Sequence, residues 1–307
     1  MKRVLVTGGS GFIGRQVWEP LQRRGYEIHA VGRRTPDRLP PGVGFHEIDL
    51  LDCGTHQALM EIVHPTHLLH LAWYAEHGKF WNAPENLRWL EATQSLMRAC
   101  ALAGGRRMVA AGTCAEYDWS DGVLVEQQTA ERPASLYGET KLKAFRECGE
   151  IVGEQGGSLA WGRIFSPYGT GEPPGRLVPH VITSLLRGEP ARCSQGLQQR
   201  DFLYSPDVAD ALVALLDCPV SGAVNIGSGV PLRVGDLATR IATMLGHPEL
   251  LRLGEIAAQH DSAPVVVARV QRLTREVGWQ PRFTLEQGLT GTIEWWRDRL
   301  AADNIVK

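Results

Sequence analysis

Short apolar segments alternate with longer amphipathic ones through the first half of this chain. The short segments predict β-strands, which cover residues 3–7, 27–31, 44–48, 67–71, 107–111 and 158–164. The amphipathic segments between them predict helices over residues 11–24, 53–63, 84–103 and 134–155. Because strands alternate with helices, the pattern predicts an α/β fold with a doubly wound parallel sheet of the Rossmann type.

The regular alternation of strand and helix patterns ends after residue 165. The segment 166–176 is rich in Gly and Pro and is predicted to be a loop. Helical patterns then return less regularly, at residues 177–187, 205–216, 233–245 and 285–301. We therefore expect a Rossmann-type domain over residues 1–165, to which a segment near 205–225 returns. Residues 166–307 are expected to form a smaller, mixed C-terminal lobe.

Spaced glycines follow the first predicted strand directly. The sequence TGGSGFIG at residues 7–14 joins that strand to the first helical pattern. Glycines at this point allow a tight turn, let the backbone approach a pyrophosphate, and let helix and strand pack closely. We therefore predict a dinucleotide-binding loop, and thus a cofactor-binding role for the domain over 1–165. Its predicted contact residues are Gly8, Ser10, Gly11, Phe12, Ile13 and Gly14.

The end of the second predicted strand indicates which dinucleotide is bound. An NAD-binding fold usually carries Asp or Glu about 20 residues after the glycines, where it holds the ribose 2′-hydroxyl. Here Arg33 lies 19 positions after Gly14, and Arg34 follows it. Because guanidinium groups suit a 2′-phosphate, this favours NADP(H) over NAD(H), with a solvated basic turn as the alternative. Asp49 and Leu50, after the third strand, are predicted to contact the adenine side; helix capping is the competing role of Asp49.

A candidate proton-transfer site lies in the fourth predicted helix. Tyr137 and Lys141 are four residues apart, so they share one face of the helix. A free tyrosine has a pKa near 10 and is a poor catalyst at neutral pH, but a neighbouring ammonium group stabilises the phenolate. Thr113, just after the strand 107–111, can supply a hydroxyl to the same site. We therefore predict that these three residues move a proton at a carbonyl oxygen.

Composition narrows the class of protein. The chain of 307 residues has a formal net charge of −2, so bulk charge gives no case for binding nucleic acid or an anionic membrane. No apolar run approaches the roughly 18 residues that a membrane span needs, and the N-terminus does not resemble a signal peptide. The six cysteines form no C-x-x-C pair, which is typical of free thiols in a reducing cytoplasm. We predict no metal site.

Taken together, these motifs resemble the extended short-chain dehydrogenase/reductases of the nucleotide-sugar epimerase/dehydratase type. The resemblance implies that Tyr137 is the general acid/base, that Lys141 binds the nicotinamide ribose and that Arg200 contacts a substrate diphosphate. It also implies a homodimer built through the helices near 84–103 and 134–155. The matching segments span nearly the whole chain and are TGGSGFIG at 7–14, His70-Leu71-Ala72, Asn86, GTCAEY at 112–117, YGETK at 137–141, Arg163 with Tyr168-Gly169, Arg200-Asp201-Phe202 with Asp207, NIG at 225–227 and GWQP at 278–281.

The chain departs from the family pattern next to Thr113. Dehydratases of the family carry an Asp-Glu pair directly after this position, and decarboxylases a Glu two residues after it; here Cys114 and Ala115 occupy the two positions. Dehydration and decarboxylation are therefore not expected. Glu116, one place further along, should face differently in an extended segment. At residue 166, where relatives commonly have a substrate-binding Asn, this chain has Ser166.

Two redox reactions and one non-enzymatic function are compatible with these residues. We expect an NADPH-dependent 4-ketoreductase acting on a CDP- or dTDP-linked 4-keto-6-deoxyhexose, because residues 70–81 resemble those of such reductases and Arg33 favours NADPH. An NAD(P)-dependent C4 epimerase is the alternative within enzymes, and a non-catalytic NADPH-binding scaffold or sensor the alternative outside them. The resemblance adds Leu71, Ala72 and Tyr137 to the predicted cofactor contacts, beside Lys141. The predicted substrate contacts are Thr113, Trp73, Ser166, Arg176 and Arg200.

Overall fold

A computed structural model describes residues 2–36, 39–257 and 263–305 of the chain. The strands are β1 (Arg3–Thr7), β2 (Glu27–Gly32), β3 (Val43–Glu47), β4 (His67–His70), β5 (Arg107–Thr113), β6 (Val123–Leu124), β7 (Ser158–Ile164), β8 (Ser166–Tyr168), β9 (Ala191–Cys193), β10 (Gln199–Tyr204), β11 (Gly222–Ile226), β12 (Pro231–Arg233), β13 (Leu251–Leu253) and β14 (Val265–Ala268). The helices are α1 (Trp18–Arg23), α2 (His56–Val63), α3 (Glu85–Leu102), α4 (Leu136–Glu154), α5 (Leu177–Leu186), α6 (Ser205–Asp217), α7 (Val234–Leu245) and α8 (Leu285–Ile305).

The main sheet has seven strands in the order β3-β2-β1-β4-β5-β7-β11, and every pairing in it is parallel. The first strand, β1, lies in the middle of the sheet. Strands β2 and β3 follow on one side of it, and β4, β5, β7 and β11 lie on the other side. This reversal defines a doubly wound sheet, which places ligands beyond the carboxyl ends of the central strands. The predicted α/β Rossmann-type fold is confirmed.

Apolar side chains cover both faces of the main sheet. One core layer joins β1 to helices α1 and α6, through residues such as Val4, Leu21 and Leu212. The other joins the opposite face to α2, α3 and α4, through residues such as Leu59 and Met97. The central strands are buried on both faces and largely apolar, whereas the edge strand β3 is not. Six of the seven strands were predicted to within two residues, and β11 was not predicted as a strand.

The first helix is shorter than the predicted 11–24. The chain instead forms a short 3₁₀ turn at Gly14–Gln16, and α1 follows as Trp18–Arg23. Pro20 has no backbone N–H to donate to the carbonyl of Gln16, so one continuous helix cannot run through this segment.

The C-terminal lobe contains a second, smaller sheet that the sequence analysis missed. Its strands run in the order β12-β10-β14-β6, and β8 pairs with β10. The prediction of a loop over 166–176 was therefore wrong for its first three residues, because Ser166–Tyr168 pairs in parallel with β10. The short β6 comes from the N-terminal half of the chain and pairs with β14. No described helix is long and apolar enough to cross a membrane.

Candidate active site

The glycine-rich loop leaves β1 at its carboxyl end. Gly8 has a φ of 70°, and a Cβ there would lie 2.6 Å from the backbone nitrogen of Ala72. A Cβ on Gly14 would overlap the carbonyl oxygen of Gly8, so the segment after the turn can pack against the turn only with glycine at position 14. Contact of this loop with a dinucleotide stays a prediction.

His70 holds this loop against the neighbouring strand. Its Nδ1 lies 2.8 Å from Oγ1 of Thr7, and its Nε2 lies 2.9 Å from Oγ1 of Thr93. Oγ1 of Thr7 also accepts hydrogen bonds from the backbone amides of Leu71 and Ala72, both at 3.2 Å. Burial lowers the pKa of His70 to about 3, so the ring is neutral and serves as a fixed hydrogen-bonding bridge.

A cavity of about 570 Å³ opens beside the loop and reaches the end of β2. The part of the chain that the structure describes contributes no acidic side chain to the lining of this cavity, which consists of Gly9, Ser10, Trp18, Ala30, Val31, Gly32, Arg33, Arg34, Pro36, Leu39 and Phe45. Arg33 and Arg34 are exposed at its rim. A glycine loop, apolar walls and two cations suit the adenosine half of a dinucleotide, so the residues present fit an NAD(P) cofactor.

Asp49 is exposed, and its carboxylate accepts a hydrogen bond from the backbone amide of Leu51 at 3.0 Å. This hydrogen bond closes a local turn, whereas the helical turn that follows is capped by Asp52, so Asp49 is not the helix cap that was weighed against adenine binding. Leu50 is buried, and its carbonyl oxygen lies 3.0 Å from Nε2 of His56. Contact of either residue with adenine stays a prediction.

Tyr137 and Lys141 lie one turn apart at the start of α4. Ser135 caps this helix, because its hydroxyl accepts a hydrogen bond from the backbone amide of Gly138 at 3.2 Å. The ammonium group of Lys141 is buried and donates a hydrogen bond to the carbonyl oxygen of Ala111, near the end of β5, at 2.8 Å. Burial lowers the pKa of Lys141 to about 7, partly offset by the carboxylate of Glu116.

Thr113, the last residue of β5, lies beside Tyr137 as the sequence predicted. Desolvation raises the pKa of the Tyr137 phenol well above its usual range, while a hydrogen bond with Thr113 and the charge of Arg176 lower it. The three residues therefore form one constellation at the carboxyl edge of the sheet, the edge from which the glycine-rich loop also leaves β1. Such a constellation can transfer a proton to or from a substrate oxygen.

Glu116 is a structural residue of the site that the sequence analysis missed. It lies in a 3₁₀ turn over Cys114–Glu116, so the expectation of an extended segment was wrong. Its buried carboxylate accepts hydrogen bonds from the backbone amide of Thr113 (2.8 Å), Nε1 of Trp161 (2.8 Å) and Nε of Arg163 (2.6 Å). The T-x-x-E spacing from Thr113 to Glu116 is that of a capping box and could have revealed this turn.

Two of the predicted substrate residues are arginines whose charges act on residues of the candidate site. The charge of Arg176 acts on Tyr137, and that of Arg200 acts on the buried thiol of Cys114, so both cations lie near the proton-transfer site. Arg176 also pairs with Glu172 at 3.2 Å, and Arg200 donates to the carbonyl oxygen of Ala263 at 2.9 Å.

The other two predicted substrate residues have different surroundings. Ser166 is half-buried at the start of β8, where it pairs with Phe202 of β10. Trp73 is half-buried against Lys141. Substrate contact by either residue stays a prediction.

This fold and constellation define an oxidoreductase-type enzyme of the extended short-chain dehydrogenase/reductase class. The profile of the NAD dependent epimerase/dehydratase family matches residues 4–227, and the chain belongs to that family.

Three known proteins illustrate the similarity. The structure of MoeE5 in complex with UDP-glucuronic acid and NAD is 32% identical, covers 97% of this chain and 99% of that one, and superposes with a TM-score of 0.84. The Thermus thermophilus UDP-glucose 4-epimerase in complex with NAD is 25% identical, covers 96% and 99%, and has a TM-score of 0.84. UDP-glucuronic acid decarboxylase 1 of Xenopus tropicalis is 27% identical over 97% of this chain and 73% of its own length.

Proposed function

We propose that this enzyme interconverts the C4 epimers of a nucleoside-diphosphate hexose or hexuronic acid. The observation that carries the proposal is the constellation of Thr113, Tyr137 and Lys141 at the carboxyl edge of β5. Two similar structures are described as 4-epimerases or as complexes with a UDP-sugar and NAD, which supports the epimerase over the reductase that we expected from the sequence.

In this mechanism Tyr137 carries the proton. A bound nicotinamide would supply hydride chemistry at C4 of the sugar. Tyr137 takes the proton of the C4 hydroxyl in the first half of the reaction and gives it back in the second. Lys141, one helical turn away, favours the phenolate through its positive charge, and Thr113 holds the reacting oxygen by a hydrogen bond.

The residues after Thr113 argue against elimination. A dehydratase needs a second acid to protonate a leaving hydroxyl, and neither Cys114 nor Ala115 can do this at neutral pH. Burial raises the pKa of the Cys114 thiol to about 12, so the thiolate is not available as a base either. Proton and hydride transfer at C4 alone is the chemistry that these side chains support.

A second candidate function rests on the two arginines after β2. Arg33 and Arg34 favour a cofactor with a 2′-phosphate, and NADPH is commonly used as an exchangeable reductant. An NADPH-dependent 4-ketoreductase would use the same proton donor once per turnover, with net consumption of the cofactor. We propose NADP(H) as the preferred cofactor in either case.

For assembly and compartment we infer a homodimer in the cytoplasm. Helices α3 and α4 pack side by side along one flank of the sheet, which suits a four-helix contact with a second copy. All six cysteines are free thiols, which agrees with a reducing compartment.

A direct assay separates these functions. The enzyme is mixed with UDP-glucose or UDP-glucuronic acid and either dinucleotide, and the sugar protons are followed by NMR. A parallel reaction follows NADPH absorbance with CDP- or dTDP-4-keto-6-deoxyglucose. Formation of the C4 epimer without net cofactor consumption supports the epimerase, whereas stoichiometric loss of NADPH identifies the reductase. Cofactor binding with no turnover of any of these sugars contradicts both.

The variant Tyr137→Phe tests the proton carrier. We expect turnover to fall by roughly 10²–10⁴-fold, because the phenol oxygen is lost while the ring and its packing remain. Dinucleotide affinity, measured by fluorescence titration, should change little. Near-normal turnover in this variant would mean that another group moves the proton.

A further inference from the structure

Lys141 has aromatic neighbours that general acid/base catalysis alone does not require. Three aromatic rings face its ammonium nitrogen: the ring centroids of Trp73, Trp161 and Tyr137 lie 3.8, 5.8 and 6.0 Å from it. The first distance brings the cation into close contact with an indole face, which is the most favourable partner in a cation–π interaction. We call Trp73, Trp161 and Tyr137 the aromatic cage.

Hydrogen bonds fix both indoles of the cage. Nε1 of Trp73 donates to Oδ1 of Asn86 at 2.8 Å. Asn86 is itself fully buried and donates through Nδ2 to the carbonyl oxygens of Phe80 and Ala83. Nε1 of Trp161 donates to Glu116 at 2.8 Å. The two rings are therefore held in place before any ligand arrives.

The cage addresses an electrostatic difficulty of the site. Lys141 must stay charged to favour the phenolate of Tyr137, yet its burial disfavours the charged form. The titratable groups that face it are Glu116 after β5, Cys148 on α4 and His70 on β4. Glu116 shares its charge with Arg163, His70 is neutral, and burial keeps Cys148 a thiol with a pKa of about 12. An aromatic face adds attraction for the cation without adding a charge or a water molecule.

We propose that Trp73, anchored by Asn86, is a positioning residue that holds the charged ammonium group of Lys141 in the cleft. Trp73 acts on Tyr137 through Lys141, so it is not itself a proton carrier. The proposal takes from the proposed function only that Lys141 belongs to the site. Its test needs no turnover, so failure of the epimerase assay and failure of this proposal can be told apart.

The chain has only five lysines, which makes a direct measurement possible. We would label lysine with ¹³C at Cε and titrate the protein, with and without bound dinucleotide, by NMR. Lys2, Lys79 and Lys143 have side chains that are 49%, 69% and 60% exposed and serve as internal references. The variant Lys141→Arg identifies the resonance of Lys141 by its loss. In the wild type, that resonance should titrate near pH 7 and carry an upfield ring-current shift from Trp73.

Two substitutions then test the indole. Trp73→Leu keeps the site apolar but removes the aromatic face, so the titration midpoint of Lys141 should fall by about one pH unit and the ring-current shift should vanish. Trp73→Phe retains a weaker aromatic face and loses the hydrogen bond to Asn86. The Lys141 titration midpoint in this variant should therefore lie between those of the wild type and Trp73→Leu. If Trp73→Leu does not fold, Trp73→Phe alone decides the question.

The matched control is Trp81→Leu. Trp81 packs against the ring of Tyr137, with centroids 6.0 Å apart, and is not part of the aromatic cage. This variant should leave the midpoint of Lys141 where it is in the wild type. The proposal is overturned if the Trp73 variants titrate like the wild type, or if Trp81→Leu shifts the midpoint as much as Trp73→Leu.

Discussion

At the scale of single residues, sequence spacing predicted the proton-transfer site but not its support. Tyr137 and Lys141 could be found because four residues make one helical turn, and that turn lies where the sequence placed it. The ring of Trp73 was predicted to line the sugar pocket, and no spacing rule indicated that it would lie over Lys141. Contacts between side chains distant in sequence depend on how strands and helices are packed, which a local pattern does not contain.

The preference for NADP(H) is tested with Arg33→Ala. Loss of one guanidinium group from the rim of the cavity should weaken NADP(H) binding by roughly 10–100-fold, because a hydrogen bond to a charged group contributes about 1.5–3 kcal/mol. The affinity for NAD(H), which has no 2′-phosphate, should hardly change. Isothermal titration calorimetry with both dinucleotides measures the two constants.

Arg240→Ala is the matched control for this substitution. Arg240 is also a surface arginine, but it pairs with Glu286 on the C-terminal lobe, at 2.7 Å. Its removal should alter neither affinity. An equal loss of NAD(H) and NADP(H) affinity in Arg33→Ala would show that Arg33 acts on the shared pyrophosphate or adenine, and not on a 2′-phosphate.

At the scale of elements, the main sheet was easier to predict than the second one. Buried parallel strands are continuous apolar runs, and each stands out between amphipathic helices. The strands β6 and β8 have only two and three residues, and each exists because it pairs with a distant partner. Their formation depends on tertiary contacts, so the Gly- and Pro-rich composition around β8 correctly indicated a turn-rich segment but hid the strand within it.

The turn that follows β5 depends on a buried ion pair, which gives a prediction for this element. Glu116 and Arg163 are both fully buried and 2.6 Å apart. Glu116→Gln keeps the shape but removes the counter-charge of Arg163, so we expect the free energy of unfolding to fall by about 3–5 kcal/mol. Urea denaturation followed by circular dichroism measures the loss.

Glu131→Gln provides the comparison, because Glu131 contacts the same arginine at 2.6 Å but its side chain is 26% exposed. Water can compensate for the lost charge there, so this change should lower the free energy of unfolding by only about 1 kcal/mol. If the two variants were equally destabilised, the burial of Glu116 would not be what makes its charge important.

At the scale of the whole molecule, the two lobes are not consecutive pieces of the chain. In the structure, β11 completes the main sheet beside β7, and α6 packs on that sheet. The boundary at residue 165, with a returning segment near 205–225, stays a prediction. Arg107 of β5 fixes the connection between α6 and β11. It donates hydrogen bonds to the carbonyl oxygens of Leu215 (3.0 Å) and Val220 (2.7 Å). In the opposite direction, β6 leaves the N-terminal half to pair with β14.

This interleaving predicts that a fragment of residues 1–165 does not fold on its own. Without β11 the edge of β7 is unpaired, and without α6 one face of the sheet loses the buried side chains of Val208, Ala209, Ala211, Leu212, Val213, Leu215 and Leu216. Each of the five larger apolar side chains stabilises the fold by roughly 1.5–3 kcal/mol, so their joint loss is comparable with the 5–15 kcal/mol that typically separates folded from unfolded proteins. Thermal denaturation should therefore show a cooperative transition for the full chain and none for the fragment. A fragment that unfolded cooperatively and bound a dinucleotide would show that its six strands of the main sheet form an independent domain.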